Sequence, residues 1–173
     1  MTPETTVAAL PIDPQADQTA PLLPVEPAYR NVLRLGAAIF WLPVLVASMV
    51  LDRLVLAEYP VAGLAPVLVG LAAFSAILVA PERIYRRITY SVDRELLRVV
   101  RGWLFHSDTI VPFVRVQHID VKRGPLDKLF GTATLVVHTA GTHNSIVSLP
   151  GLSPDRADII RDDIRGSIRS DTQ

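Results

Sequence analysis

Cysteine is absent from all 173 residues. That excludes a disulfide scaffold, a thiol nucleophile and a zinc site built on thiolates, and it fits a reducing compartment. Net charge is absent too: 17 basic residues balance 17 acidic ones. Bulk charge therefore points to no polyanionic partner, and no nucleic acid is expected. Residues 1–28 contain no lysine or arginine, although Glu4, Asp13, Asp17 and Glu26 fall there among prolines, alanines and threonines. Without a positive region ahead of an apolar run, this is not a secretory signal. Its composition buries too little apolar surface to offset chain entropy, so residues 1–28 read as a disordered acidic, Pro-rich tail, with a second short tail at 170–173.

Charge is missing most conspicuously from two runs. Residues 35–51 hold no charged side chain over 17 positions, and residues 61–80 none over 20. Roughly 17–25 apolar residues span a bilayer core of about 30 Å, and Arg34 can snorkel to lengthen the shorter run. Asp52, Arg53 and Glu58 form a polar tip between them, so residues 29–81 read as a transmembrane hairpin. Buried helices of a soluble core are the alternative, but the remaining chain is too short to wrap two helices that are apolar all round. Pro43 and Pro66 lie inside the runs and are expected to kink them. Ala72, Ala76 and Ala80, with Gly63 and Gly70, form stripes of small residues suited to close helix contact. Arg30 and Arg34 precede the hairpin and Arg83, Arg86 and Arg87 follow it, whereas the tip has only Arg53. Basic flanks stay inside, so the chain is expected in the cell membrane with both termini cytoplasmic.

From residue 84 the pattern changes. Ile88, Tyr90 and Val92 alternate with Thr89 and Ser91, the period of a strand with one buried face. A turn at Asp93-Arg94-Glu95, strands over 96–101, 103–112 and 114–121, a helical turn at 126–131 closed by glycine, and strands at 133–139 and 145–149 follow. Ser153-Pro154-Asp155 carries the signals of a helix start. Ala157, Ile160, Ile164 and Ile168 then share one helical face. Short strands followed by one amphipathic helix predict, over residues 82–169, a mainly-β barrel capped by a C-terminal α-helix.

Several segments carry a resemblance. They are Tyr90 in the first strand, Arg101-Gly102-Trp103-Leu104, Ile110-Val111-Pro112 with Arg115-Val116-Gln117-His118, the segment GPLDKLFG from Gly124 to Gly131, and Thr139-Ala140-Gly141. Together with the hairpin they make residues 30–168 similar to bacterial PH-like (pleckstrin-homology-like) membrane proteins of the YdbS type. Val111 between Ile110 and Pro112, Val116 in place of isoleucine, and His106 and Asp108 in place of basic residues depart from that pattern. The resemblance implies a PH-like barrel tethered to the cytoplasmic membrane face. It implies no activity, and fold alone does not fix one.

Chemistry-bearing patterns are few. His106, His118, His138 and His143 form no HExxH, and no phosphate-binding glycine loop or nucleophile elbow is present. His138 and His143 flank a hairpin and can approach each other, while Asp162 and Asp163 are adjacent on a helix and point apart. Neither enzyme activity nor a cofactor or metal is expected. Arg83, Arg86 and Arg87 read as topology determinants that also meet anionic headgroups. In the loop around residues 124–131, Lys122, Arg123, Asp127 and Lys128 rim the apolar Leu126, Leu129 and Phe130. A polar rim around an apolar centre is the composition of a docking surface; the competing reading tucks all three apolar groups beneath the loop as a plug. Trp103 suits either a core or an interfacial position. The short acidic turn at 93–95 argues against a phosphoinositide pocket there. The leading expectation is a membrane-anchored module whose partners are the bilayer and a membrane or membrane-associated protein, such as another PH-like membrane protein. The alternative is anionic-lipid sensing in envelope homeostasis.

Overall fold

A computed structural model describes residues 21–93, 95–102, 106–140 and 145–170. Residues 1–20 and 171–173 of the tails, together with Arg94, Trp103, Gly141 and His143, lie outside the described residues.

Two helices are long and apolar enough to cross a membrane, Tyr29–Leu56 and Leu64–Tyr85. At about 1.5 Å per residue the shorter reaches about 33 Å, enough for the hydrocarbon core. The first is α1 (Tyr29–Leu51) continued by a π-type turn at Asp52–Leu56. The second is α2 (Leu64–Phe74), a π-type turn at Ser75–Val79, and α3 (Ala80–Tyr85). Asp52 closes the tip: its buried carboxylate accepts the Gly63 N–H at 2.8 Å, and Gly63 sits at φ 86, a conformation glycine adopts without penalty.

Two expectations for the hairpin need correction. Pro66 falls in the first turn of α2, where an N–H has no intrahelical acceptor in any case, so it interrupts no hydrogen bond. Ala72 is exposed; the buried small residue is its neighbour Ala73, and the face toward α1 runs through Gly70, whose added Cβ would lie 3.8 Å from Leu45. Side chains such as Ile39, Phe40, Leu68 and Leu71 face outward, as lipid-facing residues must.

Among the described residues, seven strands form two antiparallel sheets. The first has the order β1-β2-β3-β4, from β1 (Leu23–Pro24), β2 (Ile88–Val92), β3 (Leu96–Gly102) and β4 (His106–Pro112). The second has the order β5-β6-β7, from β5 (Val116–Lys122), β6 (Ala133–Thr139) and β7 (Ile146–Leu152). A 3-10 turn at Phe113–Arg115 redirects the chain between the sheets. Among the described residues the sheets share no ladder, so the expected barrel is an open PH-like sandwich. Its core joins Leu97 and Val99 of one sheet to Leu135, Val137 and Leu149 of the other. The helix α5 (Pro154–Ser170) covers one end with Ala157, Ile160 and Ile164 buried, the face that the sequence spacing indicates.

The tail reading fails for residues 21–28. Leu23 and Pro24 pair with Tyr90 and Thr89, Val25 is buried in the core, and Glu26 donates its N–H to the Gly151 carbonyl at 2.7 Å. Three apolar residues, Leu22, Leu23 and Val25, lie within this otherwise proline-rich stretch; a window average over the tail conceals them.

Candidate functional site

The loop between β5 and β6 contains α4 (Pro125–Phe130). Asp127 organises it. One carboxylate oxygen accepts the Gly124 N–H at 3.1 Å and the other the Thr132 hydroxyl at 2.7 Å, while the Asp127 carbonyl accepts the Thr132 N–H at 2.8 Å. Gly131 ends the helix at φ 67, left-handed as the sequence suggests. Asp127 thus shapes the loop rather than presenting charge to a partner.

The remaining members of the candidate loop divide by face. Leu126 is half-buried against α1, with its Cδ1 3.7 Å from where a Cβ on Gly36 would lie. Phe130 is half-buried too, and neither belongs to the sandwich core. Leu129 is 67% exposed, and Lys122, Arg123 and Lys128 are exposed around it. Gly36 is the second residue of the uncharged run, so α4 rests on the root of the first membrane helix. The three apolar groups do not share one fate: one holds the loop to α1, one is half-covered, and one faces outward.

The juxtamembrane arginines gather round a residue that the sequence reading passes over, Glu82. Its carboxylate takes Arg86 at 2.7 Å, Arg30 at 3.1 Å and Arg34 at 3.7 Å. Three guanidiniums on one carboxylate leave excess positive charge while tying the start of α1 to α3. Arg86 is therefore engaged within the chain. Arg87 reaches the Gly102 carbonyl at 3.5 Å, and Arg83 is exposed with no ion pair among the described residues. The signal for Glu82 was its position, a lone acid between two spans' worth of arginines.

Two further elements escape sequence reasoning. Tyr29 packs against Gly151, where an added Cβ would fall 2.7 Å from the Tyr29 Cγ. The Pro150-Gly151 pair is the turn signal that marks it. Arg101 stands on the inward face of β3 in register with Val99 and Leu97, and burial pulls its guanidinium below the ordinary arginine range, with Tyr29 opposing. Its position in an alternating run, Leu97-Arg98-Val99-Val100-Arg101, shows which face it shares.

On the outer face of the second sheet, His118 pairs across the ladder with His138, and Asp120 accepts from His118 at 2.8 Å and lies 3.6 Å from His138. Among the described residues no group of three or more histidine and carboxylate side chains is placed to hold a metal. His106 is exposed on β4, apart from that pair, and His143 lies outside the described residues. Asp162 pairs with Arg161 rather than with Asp163.

Comparison with known proteins adds to this geometry. The profile described as Bacterial PH domain matches residues 33–168. The UPF0699 transmembrane protein YdbS of Bacillus subtilis (strain 168) is 34% identical over 94 residues, a match covering 54% of this chain and 57% of that protein. The chain thus spans little more than half the length of that relative. No solved structure matches. Two apolar helices, an open sandwich capped by α5 and a profile match across most of its length make this chain a member of the bacterial PH domain family.

Proposed function

We propose that this chain is a multi-pass, membrane-anchored PH-like module that presents α4 to the anionic cytoplasmic face of the cell membrane, with both termini inside. One observation carries the reading: Leu126 seats α4 against Gly36 at the root of α1. An element held there lies at headgroup depth. Its outward residues, Leu129 with Lys122, Arg123 and Lys128, pair an apolar side chain with three cations. Apolar area enters the interface, and each cation near an anionic surface contributes about 1 kcal/mol. The excess charge round Glu82 and the exposed Arg83 extend the same surface. The module works by binding and placement, without a reaction of its own.

The absence of cysteine supplies the test. A single Leu129→Cys carries a polarity-sensitive label as the unique thiol. In the full-length protein in bilayer discs, the label is expected to report headgroup depth, deeper with anionic than with neutral lipid. Reversing Lys122, Arg123 and Lys128 to Glu should remove that difference. A fully aqueous label in both lipids sinks the proposal.

The exposure of Leu129 inside its basic rim also favours a second reading, in which the same face docks a membrane or membrane-associated protein. A photocrosslinker at position 129 in native membranes separates the two: lipid adducts follow from the first, and a discrete protein adduct lost on charge reversal follows from the second.

A further inference from the structure

Between the exposed edge of β4 and β7 the sandwich is open, and a cleft of about 160 Å³ enters it. Val99 and Val147 line it along with the hydroxyl-bearing Ser107, Thr109 and Ser148, and Arg101 forms part of the wall. The Ser107 and Thr109 hydroxyls lie 3.4 Å apart on the same face of β4. No acid lines the cleft among the described residues. The cleft is distinct from the exposed face of α4 and opens elsewhere on the domain from the acidic turn at Asp93 and Glu95.

Arg101 is out of balance with its surroundings. Its Nε and Nη2 are sealed from solvent and have no hydrogen-bond partner, and it forms no ion pair among the described residues. The described group that opposes its desolvation is the phenol of Tyr29, which carries no charge at neutral pH. A guanidinium half withdrawn from water without a counter-charge is destabilising, and folded proteins seldom leave sealed donors unpaired. Arg98, three residues earlier and on the opposite face of the strand, has the partner Arg101 lacks: Asp108 takes it through two nitrogens at 3.0 and 2.6 Å.

We propose that this cleft is a binding site for a phosphate group, with Arg101 supplying the charge and the Ser107 and Thr109 hydroxyls supplying further donors. With Nε and Nη2 sealed, the guanidinium acts on an oxyanion in the cleft through its charge and not as a two-nitrogen fork, and the two hydroxyls supply the direct hydrogen bonds. Size permits it: an engineered cavity of about 150 Å³ holds a benzene ring. Two sources carry that chemistry, a phospholipid headgroup and a free phosphate. The first is within reach, because the Arg101 end of β3 is juxtamembrane, where Arg87, just past α3, contacts Gly102.

The test uses the full-length protein. In neutral detergent, inorganic phosphate is titrated against chloride at matched ionic strength, with melting temperature as the readout. In bilayer discs, phosphatidylcholine alone is compared with phosphatidylcholine containing phosphatidic acid. A saturable rise with inorganic phosphate identifies a free oxyanion; a rise only with phosphatidic acid identifies a headgroup. Either should weaken by about tenfold or more in Arg101→Gln. That variant removes an uncompensated buried charge, so without phosphate it should melt no lower than the parent. Should Arg101→Gln fail to fold, Ser107→Ala with Thr109→Val keeps the charge and should weaken the rise several-fold. Reversing Lys122, Arg123 and Lys128 should leave the response to inorganic phosphate in detergent untouched. Absence of a rise in both arms, or an equal rise in parent and cleft variants, overturns the site.

Discussion

Asp108 and Gly151 show how much a single position can carry without being part of any motif. The Arg98 hydrogen bonds hold the Asp108 carboxyl below its ordinary range, against an opposing effect of burial. A carboxyl depressed in the folded state stabilises above its unfolded pKa, about 3.9, and that stability fades as pH falls through the lower folded value. Asp108→Asn should therefore melt below the parent at neutral pH, with the gap closing as pH drops below about 4. The effect should be small, since the pair is partly open to water. Gly151 is held by geometry instead. Its φ is 76, and Tyr29 occupies the space a side chain would need. Gly151→Ala should cost at least about 2 kcal/mol, from left-handed strain and from the clash. Adding Tyr29→Ala removes the Cγ and Cδ1 contacts but keeps the Tyr29 Cβ, 2.8 Å from the added methyl, so it should recover only part of the clash and none of the strain, leaving a non-additive cycle in chemical denaturation.

At the scale of elements, α4 and α1 are coupled through one contact. A Cβ at Gly36 would meet Leu126 at 3.7 Å, an ordinary van der Waals distance. Gly36→Ala should therefore leave α4 in place, whereas Gly36→Phe should push it off. Hydrogen exchange across residues 125–130 reads the difference: unchanged in the first variant and clearly faster in the second. If both exchange like the parent, α4 is held by its own Asp127 network and not by the membrane helix. These element identities were largely legible. The alternation at Ile88, Tyr90 and Val92 gave β2, the spacing of Ala157, Ile160 and Ile164 gave α5, and the glycine after Phe130 ended α4. The misreadings had local causes. Pro66 reads as a kink because an uncharged run does not mark where the first turn of its helix begins. The spacing of Ala72, Ala76 and Ala80 marks a stripe of small residues but does not say which side of the helix meets α1, and the buried alanine is the neighbour, Ala73.

The molecule as a whole pairs a hairpin with a sandwich, and its sidedness is open to measurement. A reporter fused after Gln173 should read as cytoplasmic and one inserted near Glu58 as external; external signal from the Gln173 fusion would reverse the orientation proposed from Arg30, Arg34, Arg83, Arg86 and Arg87. By itself the sequence determined the hairpin, the succession of strands from β2 onward and the capping helix. Each of these rests on periodicity or on charge-free length, which are properties of neighbours along the chain. It also marked the loop around α4, through composition. Only the tertiary structure decided which face of that loop is free, that Glu82 gathers Arg30, Arg34 and Arg86, that Leu23 and Pro24 join the sheet, and that Arg101 stands beside a polar cleft without a counter-ion among the described residues. These are contacts between residues far apart in sequence. Arg30 and Glu82 are 52 positions apart, and no local pattern in the chain records which distant charge a side chain will meet or fail to meet.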